Sequence, residues 1–258
     1  MTEPTTSVNP YQAPLSIDPE NPLVDPTGSV AGLGRVRIGL NTIYFGVCVA
    51  IGAFILALPA GMLLSSASGG FVVGGFFLLL LGLGMLGGSF AVFVGQIYCC
   101  GVPAVTRARD AAVLSASLSA AQVLLVIGSA IFGDDGTSEF SVVAFLMLHG
   151  PTFLLCASAI AFATFLKRLN LYLNQEWSAR SAGLVRGMVA IFMLVYFIAY
   201  LASFYLAYGN SGLAVSFAWI SLPTLGLFVL ALVTFIKYIN LVRLTAVSIG
   251  RLSKLAAA

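Results

Sequence analysis

Residues 38–106 read IGLNTIYFGVCVAIGAFILALPAGMLLSSASGGFVVGGFFLLLLGLGMLGGSFAVFVGQIYCCGVPAVT, 69 positions without one charged side chain. A helix rises 1.5 Å per residue and the bilayer hydrocarbon is about 30 Å thick, so one span takes about 20 apolar residues. The stretch is too long for one span and long enough for two if a turn divides it. Ser65-Ser66-Ala67-Ser68-Gly69-Gly70 supplies that turn. In lipid a backbone must satisfy its own N–H and C=O groups, which a helix does. The stretch therefore reads as a helical hairpin through a membrane.

The same counting works along the rest of the chain. Charge-free stretches cover 23 residues at 111–133, 27 at 140–166 and 50 at 187–236. The last is divided at Gly209-Asn210-Ser211-Gly212. Six spans follow, near 38–64, 71–98, 111–132, 141–166, 187–208 and 213–237. The expected fold is all-α, an integral membrane six-helix bundle. Composition agrees: 60% of the residues are apolar and 8% charged, against about 25% charged in an ordinary soluble domain. The mean hydropathy is +1.04. These values exclude a soluble globular domain, a disordered chain and a nucleic-acid binder. The first apolar run begins at Ile38, late for a cleaved signal peptide. Ser65-Ser66-Ala67 accordingly reads as part of a turn rather than as a cleavage site.

Six spans put all 12 Lys and Arg residues on one side, from Arg35 and Arg37 to Arg251 and Lys254. The opposite turns hold none, and one of them is acidic, with Asp134, Asp135 and Glu139. The positive-inside rule then makes both termini cytoplasmic. Residues 1–33 form a leader with six of the ten prolines, four acidic residues and no basic one. Such a segment cannot bury a core and is expected to be disordered. Residues 34–240 form the six-span domain. Residues 241–258 read as a basic tail helix, whose Arg243, Arg251 and Lys254 suit anionic lipid headgroups. The tail is expected to anchor at the membrane interface, with docking of a soluble partner as the other reading. After the fourth span Leu166, Leu169, Leu173 and Trp177 recur at helical spacing, with Asn170, Asn174 and Glu176 off that stripe.

The leader contains Asn9-Pro10-Tyr11-Gln12-Ala13-Pro14, and Gly95, Cys99 and Pro103 form a Gly-x-x-x-Cys-x-x-x-Pro pattern at the end of the second span. The two motifs resemble those of multi-pass membrane proteins of planctomycete-type bacteria that carry an Asn-Pro-Tyr-Gln leader. The resemblance implies a location, the bacterial inner (plasma) membrane, and no activity.

Thr164-Phe165-Leu166-Lys167-Arg168-Leu169-Asn170-Leu171 aligns at an offset of 70 with Thr234-Phe235-Ile236-Lys237-Tyr238-Ile239-Asn240-Leu241. Phe93-Val94-Gly95-Gln96-Ile97 occupies the corresponding place after the second span. Two origins fit. The chain is three in–out–in hairpins related as parallel repeats, or the likeness is convergence on residues common where spans leave the membrane.

The spans hold no Asp, Glu, Lys or Arg, which argues against a carboxylate proton relay. No His-Glu-x-x-His helix, Gly-x-Ser-x-Gly elbow or phosphate loop is present, and one histidine cannot build a multi-His metal centre. The chain thus reads as non-enzymatic, with no cofactor and no metal. His149 sits about 13 Å below the outer end of its span. Gln122, Tyr200 and Thr224 fall about 12–17 Å deep by the same rise, with Thr152, Tyr196 and Ser221 near that layer. Pro151 and Pro223 each free a backbone carbonyl there. Gln122, His149, Thr152, Tyr200 and Thr224 form the candidate midplane polar layer. Its two readings are interhelical adhesion and a path for a neutral or weakly polar solute.

Gly70/Gly74 and Gly84/Gly88 fit Gly-x-x-x-Gly, which allows close backbone approach. Ser115 and Ser119 give the third span a small-residue face. These faces suit packing within the chain, with a homo-oligomer as the other use. Cys48, Cys99, Cys100 and Cys156 read as small apolar packing residues. The overall reading is a polytopic membrane protein without an assigned activity. A channel or transporter and a scaffold or sensory subunit with partner-binding tails are the alternatives.

Overall fold

A computed structural model describes residues 29–65, 70–132, 142–209 and 217–255. They form α1 (Ser29–Ser65), α2 (Gly70–Cys99), a 3-10 turn (Ala104–Thr106), α3 (Arg109–Phe132), α4 (Val142–Tyr172), α5 (Glu176–Gly209) and α6 (Phe217–Leu255). No strand occurs among the described residues. All six helices are long and apolar enough to cross a membrane. Six crossings return the chain to the side on which it began.

Each helix packs on the next in sequence, and α6 closes back on α1. The six helices thus form a ring, with α4 also touching α6 across it. The α4 span is the most enclosed, 44% buried against 17–33% for the others. Its Phe162, Phe165, Leu166 and Leu169 are fully buried. They join Val36, Leu40 and Ile43 of α1, Val185 of α5, and Val242 and Ile249 of α6 in one core. Phe45, Leu86, Phe90, Leu124 and Leu194 point outward and are exposed. A soluble protein does not tolerate such a belt of apolar side chains, whereas lipid accommodates it.

The tightest seam joins α1 to α2. A Cβ built on Gly39 would lie 2.5 Å from the Gly95 carbonyl oxygen, and one on Gly95 would lie 2.6 Å from that of Gly39. One built on either Gly46 or Gly88 would lie 2.6 Å from the other's carbonyl oxygen. The two pairs are seven residues apart on each helix, two turns along one face. One step further along, Gly84 faces the Ala53 side chain. Gly75, Gly82 and Gly87 open onto free space, so the seam uses one face of α2 and leaves these three glycines in the outer wall.

The helices extend past the predicted spans on the basic side. Helix α1 starts at Ser29, inside the stretch assigned to the leader. Helix α5 starts at Glu176 rather than near residue 187. Charge counting finds the hydrocarbon limits, while Lys and Arg stems can line an apolar helix face beyond them. The tail reading needs correction for the same reason. Helix α6 runs unbroken through 39 residues, about 58 Å. Residues 241–255 are its last turns and not a separate helix. Leu241, Val242, Thr245, Ala246 and Ile249 are buried in the bundle, which is not how an interfacial anchor sits. The Arg37 guanidinium lies against Gly250, where a Cβ would come within 2.8 Å of its central carbon.

The helical stripe through Leu173 and Trp177 is interrupted as well. Asn174 adopts φ 54°. The Gln175 N–H donates to Asn170 O at 2.8 Å and the Asn174 N–H to Leu171 O at 3.1 Å. This is the Schellman ending, with asparagine supplying the left-handed residue. Leu166 and Leu169 lie in the core, but Trp177 is exposed and Asn170 is fully buried.

Candidate functional site

The structure divides the expected midplane layer. His149 is buried, and its Nδ1 is 2.9 Å from the Tyr196 hydroxyl on α5. Tyr196 also meets Phe153 edge-on and stacks on Phe192, with ring centroids 6.2 Å apart in both cases. Gln122 and Thr152 are half-buried on α3 and α4 and stand outside that pair. The side chains of Tyr200, Ser221, Pro223 and Thr224 lie outside the described residues. Helix α4 is continuous through Pro151, and the α6 backbone is helical through position 223.

A second polar cluster was not read from the sequence as one site. Ser115 and Ser119 of α3 lie one turn apart and face Ser158 of α4. The Ser115 hydroxyl donates to Ser158 O and the Ser158 hydroxyl to Ser115 O, both at 3.1 Å. Ser119 Oγ is 2.8 Å from Ser158 Oγ. Gln96 of α2 donates its Nε2 to Ser158 Oγ at 3.4 Å. Ser158 Oγ thus gives its one hydrogen and accepts two, which fills its capacity. The Gln96 amide turns its nitrogen toward the serine, and its Oε1 is buried without a hydrogen-bond partner. Three helices meet at one hydroxyl. Ser115-x-x-x-Ser119 was the visible signal, since hydroxyls four apart share a face. Ser158 and Gln96 join it only through tertiary packing.

A third cluster joins α4 to α6. Asn170 Nδ2 donates to Leu166 O at 2.8 Å and to Thr245 Oγ1 at 3.0 Å. Thr245 Oγ1 is 2.9 Å from Leu241 O. Both side chains are fully buried. Asn170 therefore closes its own helix and holds α6 with one amide.

The α2–α3 turn packs against α4. Gly95 sits in the α1 seam, Cys99 is buried beside Gly39, and Pro103 precedes the 3-10 turn. The Gly-x-x-x-Cys-x-x-x-Pro pattern thus has a packing and turn-forming role at each position. The Thr106 hydroxyl donates to Pro103 O at 2.8 Å and accepts from the Ala108 N–H at 3.2 Å. Arg107 takes φ 50°, and the Arg168 guanidinium of α4 donates to its carbonyl at 2.6 Å. Cys100, just past the end of the α2 span, donates its thiol to Gln96 O at 3.3 Å. Burial raises the Cys100 pKa above the usual thiol range, and the positive charge of Arg109 partly opposes the shift.

Gly84 and Gly88 lie in the α1–α2 seam; the packing of Gly70 and Gly74 is outside the described residues. Cys99 and Cys156 are buried, whereas Cys48 is exposed on the outer wall and is not a packing residue. Arg243 and Arg251 are exposed, and the Lys254 side chain is outside the described residues. Among the described residues no three His, Cys, Asp or Glu side chains come together. The serine hydroxyls bond one another, carbonyls and an amide.

No family model matches the chain, and no curated protein and no solved structure matches it.

Proposed function

We propose that the chain works as a non-enzymatic membrane scaffold, a packed bundle with both termini cytoplasmic in a bacterial inner membrane. One observation carries the reading. Among the described residues three groups of polar side chains bond from helix to helix: Ser115, Ser119, Ser158 and Gln96 in one group, Asn170 with Thr245, and His149 with Tyr196. Each contact ties two helices, which is how polar residues act as interhelical adhesion in lipid. The single-sided basic residues support the orientation, and the leader resemblance supports the membrane assigned. Exposed Arg243 and Arg251 suit anionic headgroups, at about 1 kcal/mol each near such a surface.

The test is water access. The four native cysteines are replaced, a single cysteine is placed at position 149, and intact membranes are treated with a membrane-impermeant thiol reagent. No labelling is expected, while a cytoplasmic control cysteine reacts once the membranes are opened. Rapid labelling at 149 would overturn the scaffold reading and favour a solute path through Gln122, His149, Thr152, Tyr200 and Thr224. Orientation is checked with reporter fusions at each terminus. Both are expected to report cytoplasm, and a periplasmic signal from either would sink that assignment.

A further inference from the structure

A groove of about 450 Å³ runs between α3 and α4, with Met193 of α5 on its wall. Asp110, in the first turn of α3, and Arg168, in the last turns of α4, both line it. Leu114 and Leu118 continue the wall along α3, and Ile160 continues it along α4. From Asp110 to Leu118 the wall runs about 12 Å along the helix axis. The groove thus has a charged mouth at the basic end of the bundle and apolar walls within the membrane span. Leu114 is half exposed, so the groove opens sideways toward lipid.

The charges at the mouth are opposite and form no ion pair with each other. Among the described residues the one ion pair is Arg180–Glu176. Asp110 and Arg168 are not joined by one although both border the same groove. One Arg168 N–H is held by Arg107 O, and a guanidinium has five N–H donors, so others remain for an anion. An occupant that satisfies the mouth carries a cation with N–H donors and an anion, joined by a short linker. One that satisfies the walls carries an acyl chain.

We propose that this groove binds a zwitterionic phospholipid with a primary ammonium headgroup, of the ethanolamine type. The ammonium donates to the Asp110 carboxylate, the phosphate accepts from Arg168, and one acyl chain lies along Leu114, Leu118 and Ile160. A choline headgroup has no N–H to give Asp110. A glycerol headgroup brings no cation and sets its phosphate's negative charge beside the carboxylate. The inference rests on the membrane embedding of the helices and is independent of the scaffold reading.

The full chain is purified in mild detergent and incubated with equal amounts of ethanolamine, choline and glycerol phospholipids of matched acyl chains. Bound lipid is counted by native mass spectrometry. The ethanolamine lipid is expected to be retained about tenfold over the choline lipid, the ratio given by one charged hydrogen bond. Asp110→Asn, at an exposed position, brings the ethanolamine lipid down to the choline level and raises retention of the glycerol lipid. Glu176→Gln, outside the groove, leaves the preference intact. Equal retention of the three lipids by the native chain would overturn the proposal. So would a preference that survives Asp110→Asn or disappears in Glu176→Gln.

Discussion

Replacing Gly88 by alanine adds one methyl group to the α1–α2 seam, and its cost can be worked from the geometry. The new Cβ would lie 2.6 Å from Gly46 O, 3.0 Å from Ala50 Cβ and 3.1 Å from Ala50 N. Two of these neighbours are backbone atoms, so no side chain can rotate out of the way. The helices must part by about 0.8 Å to restore the 3.4 Å of an ordinary contact. A gap of that size forfeits about a quarter to a half of the dispersion attraction between facing atoms. Overpacking of this kind costs about 1–3 kcal/mol, and the gain in helix propensity returns at most about 1 kcal/mol. With backbone on the receiving side the cost falls in the upper half of its range, for a net loss of about 1–2 kcal/mol. Gly87 is the control, because a Cβ there meets nothing within 4 Å. Gly87→Ala is expected to be neutral or to gain up to about 1 kcal/mol. The assay is reversible SDS unfolding in mixed micelles. The double variant Gly46→Ala, Gly88→Ala is expected to lose less than the sum of the singles, because both part the same two backbones. Equal losses for Gly87→Ala and Gly88→Ala, or full additivity of the pair, would refute the seam as the cause.

Other expectations use the polar clusters and the basic-side turn. Ser158→Ala removes the hydroxyl on which α2, α3 and α4 converge and is expected to cost about 1–2 kcal/mol in the same unfolding assay. Gln96→Leu, which removes a buried carbonyl that lacks a partner, is expected to cost less than Ser158→Ala; a larger loss would contradict the hydrogen-bond accounting. Arg168→Lys gives up the guanidinium that holds Arg107 O, so amide hydrogen exchange should rise across residues 101–108 and stay unchanged in the α1–α2 seam. Cys100 alkylation is expected to be slow at neutral pH and to accelerate only above the usual thiol range, because burial raises its pKa. Arg109→Gln removes the opposing positive charge and is expected to slow it further; faster alkylation in that variant would contradict the assigned cause.

Legibility followed the range of the interactions. Span number was readable because charge is excluded from hydrocarbon whatever the neighbours are, and the gap between Arg37 and Arg107 already contained two crossings. Helix ends were less readable. Glu176 and Arg243 lie in helices because packing carries the helix past the membrane boundary, and charge counting stops at that boundary. Depth alone grouped His149 with Gln122 and Thr152. Depth does not fix azimuth, and the structure pairs His149 with Tyr196 on another helix. Asn170 read as a residue off the apolar stripe of its helix, yet its amide is fully buried against Thr245, 75 residues away. Gly84 and Gly88 carried a local spacing signal, whereas their partners Ala53 and Gly46 had none.

The closure of α6 on α1 also sets an order of events during synthesis. Helices α1 and α2 adjoin in the chain and meet through a seam of backbone and small side chains, so this hairpin can form while the ribosome is still making α3. The other side of α1 waits for α6, the last of the six helices to emerge. Until then Arg37 has no Gly250 to lie against. A chain released early displays an unfinished α1 face to the quality-control proteases of the membrane. Such fragments should be cleared quickly, with a sharp rise in lifetime once the segment around Gly250 has been added.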